Sequence, residues 1–133
     1  FAATGTEARI VDFDRLEGNL LGISCLGRER VRVVEAWREA DGLNRGRVLD
    51  IAADPVVPLP LDQAWLSEVV MQVMPEAGDT YRHVERREDA AWVANRLAEL
   101  LPLTLADRQT LLELSDPLER LSALEPAVTR SRS

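Results

Sequence analysis

Two carboxylates, Asp12 and Asp14, come nearest in this chain to a pattern that could do chemistry. Residues two apart share one face of a β-strand, and neighbouring carboxylates can act as a general acid and base or bind a metal ion. A solvated strand end has the same spacing, and we favour that interpretation. With Glu17 nearby, the pair supports the hypothesis of a small carboxylate-based enzyme, which requires a concave pocket holding these acids.

Thiol and imidazole groups are scarce, because the chain has one cysteine, Cys25, and one histidine, His83. A zinc site needs three or four protein ligands, and a general base needs a positioned partner. Ser24-Cys25 could hold a nucleophile, but Cys25 alternates with Leu21 and Ile23, which predicts a buried, unreactive thiol. We therefore predict no catalytic residue, no metal site and no cofactor, with His83 in a loop.

All sixteen basic residues are arginines, and the net charge is −7. The lack of lysine excludes a P-loop lysine, a Schiff base and a Ser–Lys dyad. The short arginine clusters, at residues 28–32, 45–47 and 86–87, lie among acidic residues such as Glu29, Glu35 and Asp50, so the basic face typical of nucleic-acid binding is not indicated. No apolar run approaches the roughly 20 residues of a membrane-spanning helix. Nucleic acid and membrane are therefore not the expected partners.

The first part of the chain alternates with the period-two pattern of β-strands. Along the first strand Ala8 and Ile10 share one face and Val11 and Phe13 the other, so a bulge near Val11 would bring both pairs to one core. Turn residues follow at Glu17-Gly18-Asn19, Gly27-Arg28 and Asp41-Gly42. The pattern predicts an antiparallel meander with strands at about residues 6–16, 20–26, 29–38 and 43–52.

The second part is helical. Three prolines within residues 55–60 predict an extended connector. Apolar residues at helical spacing then predict helices at about residues 61–74, 88–101, 104–114 and from 117. Pro75 ends the first, Thr104 opens the third with a capping box, and Asp116 is the N-cap of the last. Strands followed by helices predict an α+β fold.

Four segments carry a family resemblance that spans about residues 4–125. Near the start are Gly-Thr-Glu-Ala-Arg-Ile-Val-Asp-Phe (5–13) and Leu-Gly-Ile-Ser-Cys-Leu-Gly-Arg-Glu-Arg-Val-Arg-Val (21–33). Later come Asp-Ala-Ala-Trp-Val-Ala-Asn-Arg-Leu-Ala-Glu-Leu-Leu-Pro-Leu (89–103) and Leu-Ser-Asp-Pro-Leu-Glu-Arg-Leu (114–121). In order and spacing they resemble the N-terminal domain of the Lon protease family. The similarity is greatest to stand-alone bacterial proteins that carry this domain without an ATPase.

The resemblance implies a PUA-like β-barrel followed by a helical subdomain, with a role in recognising protein or peptide substrates in the bacterial cytoplasm. We expect residues 1–60 to form the barrel portion, 61–126 the helical subdomain and 127–133 a frayed tail. The family's opening strand and first helix have no counterpart here, so the implied barrel is truncated. Its ATPase and protease motifs have none either, so the implied module is not an enzyme.

The sequence allows two alternative functions. PUA-like barrels in other families bind RNA, although the charge of −7 argues against that role. The carboxylate enzyme is the other. Open strand edges would also allow copies of the chain to associate.

Overall fold

The computed structural model describes residues 1–74 and 86–132, in two compact units, Phe1–Ala53 and Asp54–Ser133. The first unit holds an antiparallel sheet and the second holds the helices. The predicted α+β class, with strands before helices, is confirmed. Pro75 and His83 lie outside the described residues.

The sheet has three strands in the order β1-β2-β3, with β1 Thr4–Arg15, β2 Leu21–Arg38 and β3 Asn44–Asp50. The prediction of four strands was wrong, because Gly27-Arg28 does not turn. The β1–β2 register instead shifts between Thr6 and Ala8, which pair with Arg30 and Gly27. Between these pairs β2 has one residue more than β1, which forms a bulge, so one strand of 18 residues replaces two.

The predicted bulge near Val11 is confirmed. Ile10 pairs with Cys25 and Phe13 with Ile23, and the register shifts between Ile10 and Asp12. Because Cys25 and Ile23 are two apart on an unbroken strand, their partners lie on one face of the sheet. Ile10 and Phe13 therefore share a face although three residues separate them along β1.

Both connections between the strands use left-handed backbone. Gly18 and Asn19 have φ angles of 72° and 61° in the first turn. In the second, the Glu39 N–H donates to the Leu43 carbonyl (2.7 Å), which closes a loop of residues 40–42. Gly42 has φ of 90° in this loop, a value that glycine adopts without strain. The loop is thus one residue longer than the Asp-Gly pair alone predicted.

The described residues of the second unit form four α-helices: α1 Ala64–Val73, α2 Ala90–Leu100, α3 Leu105–Glu113 and α4 Pro117–Ser131. The predicted caps form. Thr104 Oγ1 accepts from the Asp107 N–H (3.1 Å), and Asp116 Oδ1 accepts from the Leu118 N–H (2.9 Å). Leu61 departs from the predicted apolar stripe, because it lies in a short 3-10 turn before α1 and is 95% exposed.

One apolar core joins these helices. It includes Leu66, Val70, Val93, Leu97, Leu111, Leu121 and Leu124. The proline-rich connector is extended as predicted and packs Val57 and Leu59 against this core. Its backbone pairs with the start of α2, where the Leu59 N–H donates to the Glu88 carbonyl (2.7 Å) and the Ala90 N–H to the Val57 carbonyl (2.9 Å).

The expected frayed tail from residue 127 was wrong. Helix α4 continues to Ser131 although Pro126 lies within it, and Val128 is fully buried. Val128 follows Leu124 by four residues, which places both on one buried stripe of the helix. Burial of this stripe stabilises the last turns, whereas the polar sequence after Val128 indicated fraying.

A single buried guanidinium connects four segments of the helical unit. Arg120 is 2% exposed and donates to Asp54 Oδ2 (2.9 Å) and Asn95 Oδ1 (3.1 Å). It also donates to the carbonyls of Leu111 (3.2 Å) and Leu114, at and beyond the end of α3. Arg120 thus links α4, α2, the end of α3 and the connector.

We predict that Arg120→Ala lowers the free energy of unfolding by about 3–5 kcal/mol, because the carboxylate of Asp54 loses its buried cation. Chemical denaturation of the purified chain measures the change. Arg130→Ala, at an exposed arginine of the same helix, is the matched control and should change it by less than about 0.5 kcal/mol. Equal effects of the two variants would contradict the assigned role of Arg120.

We also predict that Val128→Ala lowers the free energy of unfolding by about 1.5–2.5 kcal/mol, since two buried methyl groups and their packing are lost. The same denaturation measurement applies, with Ser122→Ala on the exposed side of α4 as the control. A change as small as that of the control would mean that the end of α4 does not belong to the core.

Candidate functional site

The acidic residues proposed for catalysis do not form a pocket together. Asp12, Asp14 and Glu17 are all exposed. Asp12 Oδ1 accepts from the Phe13 N–H and Asp14 Oδ1 from the Arg15 N–H, each at 2.8 Å. Each carboxylate thus bonds the backbone of the next residue in an open environment. The carboxylate-enzyme hypothesis loses the concave site that it required of these residues.

The structure places the thiol of Cys25 on the surface, so the prediction of a buried thiol was wrong. Cys25 does lie on the same face of β2 as Leu21 and Ile23, but that face is exposed in the described sheet. Within residues 1–74 and 86–132 no group of three or more His, Cys, Asp or Glu side chains could hold a metal ion. Nor is any helix in these ranges long and apolar enough to cross a membrane.

An open apolar patch lies at the β1–β2 hairpin end of the sheet. We define the hairpin face as the six apolar residues that the register places on this side beside Arg15 and Gly27: Ala8, Ile10, Phe13, Leu21, Ile23 and Cys25. Phe13 is 71% exposed and its cross-strand partner Ile23 is 53% exposed. Large contiguous apolar surfaces of this kind mark interaction sites in folded proteins.

The other end of the sheet is charged. Arg45 and Arg47 on β3 approach Glu39 and Glu35, with N–O distances of 3.7 and 3.9 Å. All four side chains are largely exposed, so each pair contributes under about 1 kcal/mol. Over Phe1–Ala53 eight arginines face nine carboxylates, a formal charge of −1. The sheet unit is therefore nearly neutral, with the acids next to the arginines.

The remaining aromatic and polar candidates have structural roles. Trp92 is buried in the helical core and Trp65 packs partly buried against it, as the apolar stripes predicted. Trp37 is half exposed and its Nε1–H donates to Glu39 Oε1 (3.2 Å). Asn95 makes the structural hydrogen bond expected of a mid-helix asparagine, in its case to Arg120.

Sequence reasoning missed Arg120 itself. The signal was its position four residues before Leu124, on the apolar stripe of the last helix. An arginine at such a position must find several acceptors when buried, and no single acceptor near it in the sequence pointed to Asp54.

Comparison with known proteins assigns the family. The family model described as the ATP-dependent protease La (LON) substrate-binding domain matches residues 1–130. The matched range includes both the sheet unit and the helical unit. The chain belongs to the LON substrate-binding domain family, as its segment order indicated.

Solved structures agree with this assignment. A Lon N-terminal domain protein from Xanthomonas campestris matches with 35% identity and a TM-score of 0.76, over 92% of this chain and 66% of that one. The N-terminal domain of Mycobacterium avium complex Lon protease has the same fold, with 20% identity and a TM-score of 0.66, over 97% of this chain and 71% of that one. This chain thus spans just under two thirds of the Xanthomonas protein. No curated protein matches it.

We predict that Cys25 reacts with a water-soluble aromatic disulfide in the folded protein, at a rate within about tenfold of a small free thiol, because its side chain is exposed. The released thiolate absorbance measures the rate. The unfolded chain in denaturant gives the full one-thiol reference. Modification that occurs only after unfolding would show that the hairpin face is covered.

Proposed function

We propose that this chain is a non-catalytic module that recognises protein or peptide substrates. The observation that carries the proposal is the open hairpin face, together with membership of a family described as substrate-binding. The proposal includes a PUA-like barrel of which the three strands are a part. It also includes a bacterial, cytoplasmic setting, with which an exposed free cysteine is compatible.

The hairpin face suits unfolded polypeptide better than a compact ligand. Its contacts would be apolar and hence non-directional, so many sequences could bind as long as they present apolar side chains. Burial of such surface contributes about 25 cal/mol per Å². A cross-strand aromatic and aliphatic pair, Phe13 and Ile23, lies within the patch and offers the largest single contact area.

RNA and a second copy of the chain are the competing occupants. RNA requires a basic surface, whereas the sheet unit has a formal charge of −1. Self-association through the hairpin face follows from the same apolar chemistry as substrate binding. Substrate would then compete with the dimer, and light scattering as a function of concentration separates the two.

We predict that the double variant Phe13→Ser with Ile23→Ser binds an alkylated, permanently unfolded polypeptide about tenfold to a hundredfold more weakly than the unchanged protein. A partner that buries each of these side chains fully would gain about 1.5–3 kcal/mol per side chain. Partial burial of both on an open surface gives a smaller total, and tenfold to hundredfold corresponds to about 1.4–2.8 kcal/mol for the pair. Fluorescence anisotropy of the labelled polypeptide measures the affinity, and circular dichroism verifies folding.

Leu105→Ser is the matched control, because Leu105 is a similarly exposed apolar residue in the helical unit. It should leave the affinity unchanged. Equal affinities of the double variant and the unchanged protein would show that the polypeptide binds at another surface. If the unchanged protein did not bind the polypeptide, the proposed function would be wrong.

A further inference from the structure

Strand β3 has an open edge in the described sheet. It pairs with β2 on one side, and all its residues, Asn44–Asp50, are exposed. The Leu43 carbonyl accepts from the Glu39 N–H, and the Ile51 N–H donates to the Arg30 carbonyl (2.9 Å). At both ends of β3, therefore, the backbone groups of odd-numbered residues point toward β2.

Antiparallel pairing alternates in direction along a strand. The backbone groups of the even-numbered residues of β3 therefore face away from β2: Asn44, Gly46, Val48 and Asp50. An extended chain placed beside β3 would find four N–H donors and four carbonyl acceptors at strand spacing. This is the geometry in which peptides bind by adding a strand to a sheet.

The side chains along this edge have a specific order. Arg45, Arg47 and Leu49 alternate along β3 and so lie on one face. The two arginines are 61% and 71% exposed, and their N–O distances to Glu39 and Glu35 are longer than hydrogen bonds. Both guanidiniums can thus take a carboxylate from an added strand with little loss, because exposed pairs of this kind contribute under about 1 kcal/mol.

We propose that the β3 edge binds an extended acidic segment of a polypeptide as an added antiparallel strand. In this segment an apolar residue faces Leu49, and two acidic residues, spaced two apart, face Arg47 and Arg45. The motif reads apolar-x-acid-x-acid from its amino end. This inference rests on the proposed function and adds to it a second surface with its own sequence preference.

The same arginines argue against a second copy of the chain as the occupant. Antiparallel pairing of two β3 strands over all seven residues is centred on Arg47 and places the two Arg47 side chains opposite each other. Like charges directly opposite on neighbouring strands are destabilising. Arginine on an open edge therefore disfavours self-pairing, while it is complementary to carboxylates.

An RNA strand fits the edge less well. Its phosphates could contact the guanidiniums, but a sugar-phosphate chain does not present amide donors and carbonyl acceptors at the repeat of a β-ladder. A ligand that fits this edge needs negative charge for the guanidiniums and backbone amides for the ladder. An acidic peptide has both.

The test uses labelled peptides and fluorescence anisotropy. One peptide contains Leu-Thr-Glu-Thr-Glu, a second has both Glu residues replaced by Gln, and a third keeps the Glu residues but is N-methylated at alternate amides. We expect the unchanged protein to bind the first at least tenfold more tightly than the second or the third. The second peptide removes charge, and the third removes the ladder hydrogen bonds while keeping the side chains.

Charge exchange gives the complementary arm. Arg45→Glu with Arg47→Glu should lose at least tenfold in affinity for the Glu peptide and gain affinity for a Lys version of it. Arg130→Glu with Arg132→Glu, at two exposed arginines of the helical unit, makes the same change in net charge and should behave as the unchanged protein. Circular dichroism verifies that each variant folds.

Several results would overturn the edge assignment. They are equal binding of the N-methylated peptide, equal binding of the Gln peptide, and a dimer that the double β3 variant abolishes. The edge assignment would also be wrong if the protein bound single-stranded RNA tightly, did not bind the Glu peptide, and lost the RNA binding in the double β3 variant. If the alkylated unfolded polypeptide binds and the Glu peptide does not, the edge assignment is wrong and the proposed function stands. If neither binds, both are wrong.

Discussion

The helical unit depends on the buried guanidinium of Arg120. A buried cation must have a counter-charge and acceptors for its N–H groups, or it destabilises the fold. Here Asp54 supplies the charge, and Asn95 and the carbonyls around the end of α3 supply the other acceptors. Because these groups come from four segments, one requirement brings the connector, α2, α3 and α4 together around the apolar core.

The sheet unit is organised differently. Its strands are held by backbone pairing and two tight connections, and among its apolar residues Val31 is buried while many others are exposed. Bulges let one long strand, β2, present apolar side chains at the hairpin end and charged ones beside β3. An open apolar face and an open strand edge are features that binding modules use.

Local signals predicted much of this arrangement. Thr104 and Asp116 cap their helices because a side-chain oxygen and the next backbone N–H groups suffice for a cap. The phase change at Val11 predicted a bulge because apolar residues must reach the same face. The turn predicted at Gly27-Arg28 was wrong, since glycine is typical both of a turn and of an irregular strand position. Local sequence does not distinguish these, but the β1–β2 register does.

The sequence alone predicted four features: the order of strands and helices, the extended connector, the helix caps and the family. Each of these depends on local geometry or on the order of segments along the chain. Three features needed the folded molecule. The exposure of Cys25 depends on what covers its face, the length of α4 depends on burial of Val128, and the partners of Arg120 come from residues up to 66 positions away. Only the tertiary structure decides burial and long-range pairing, because both depend on which surfaces pack together and not on the local sequence.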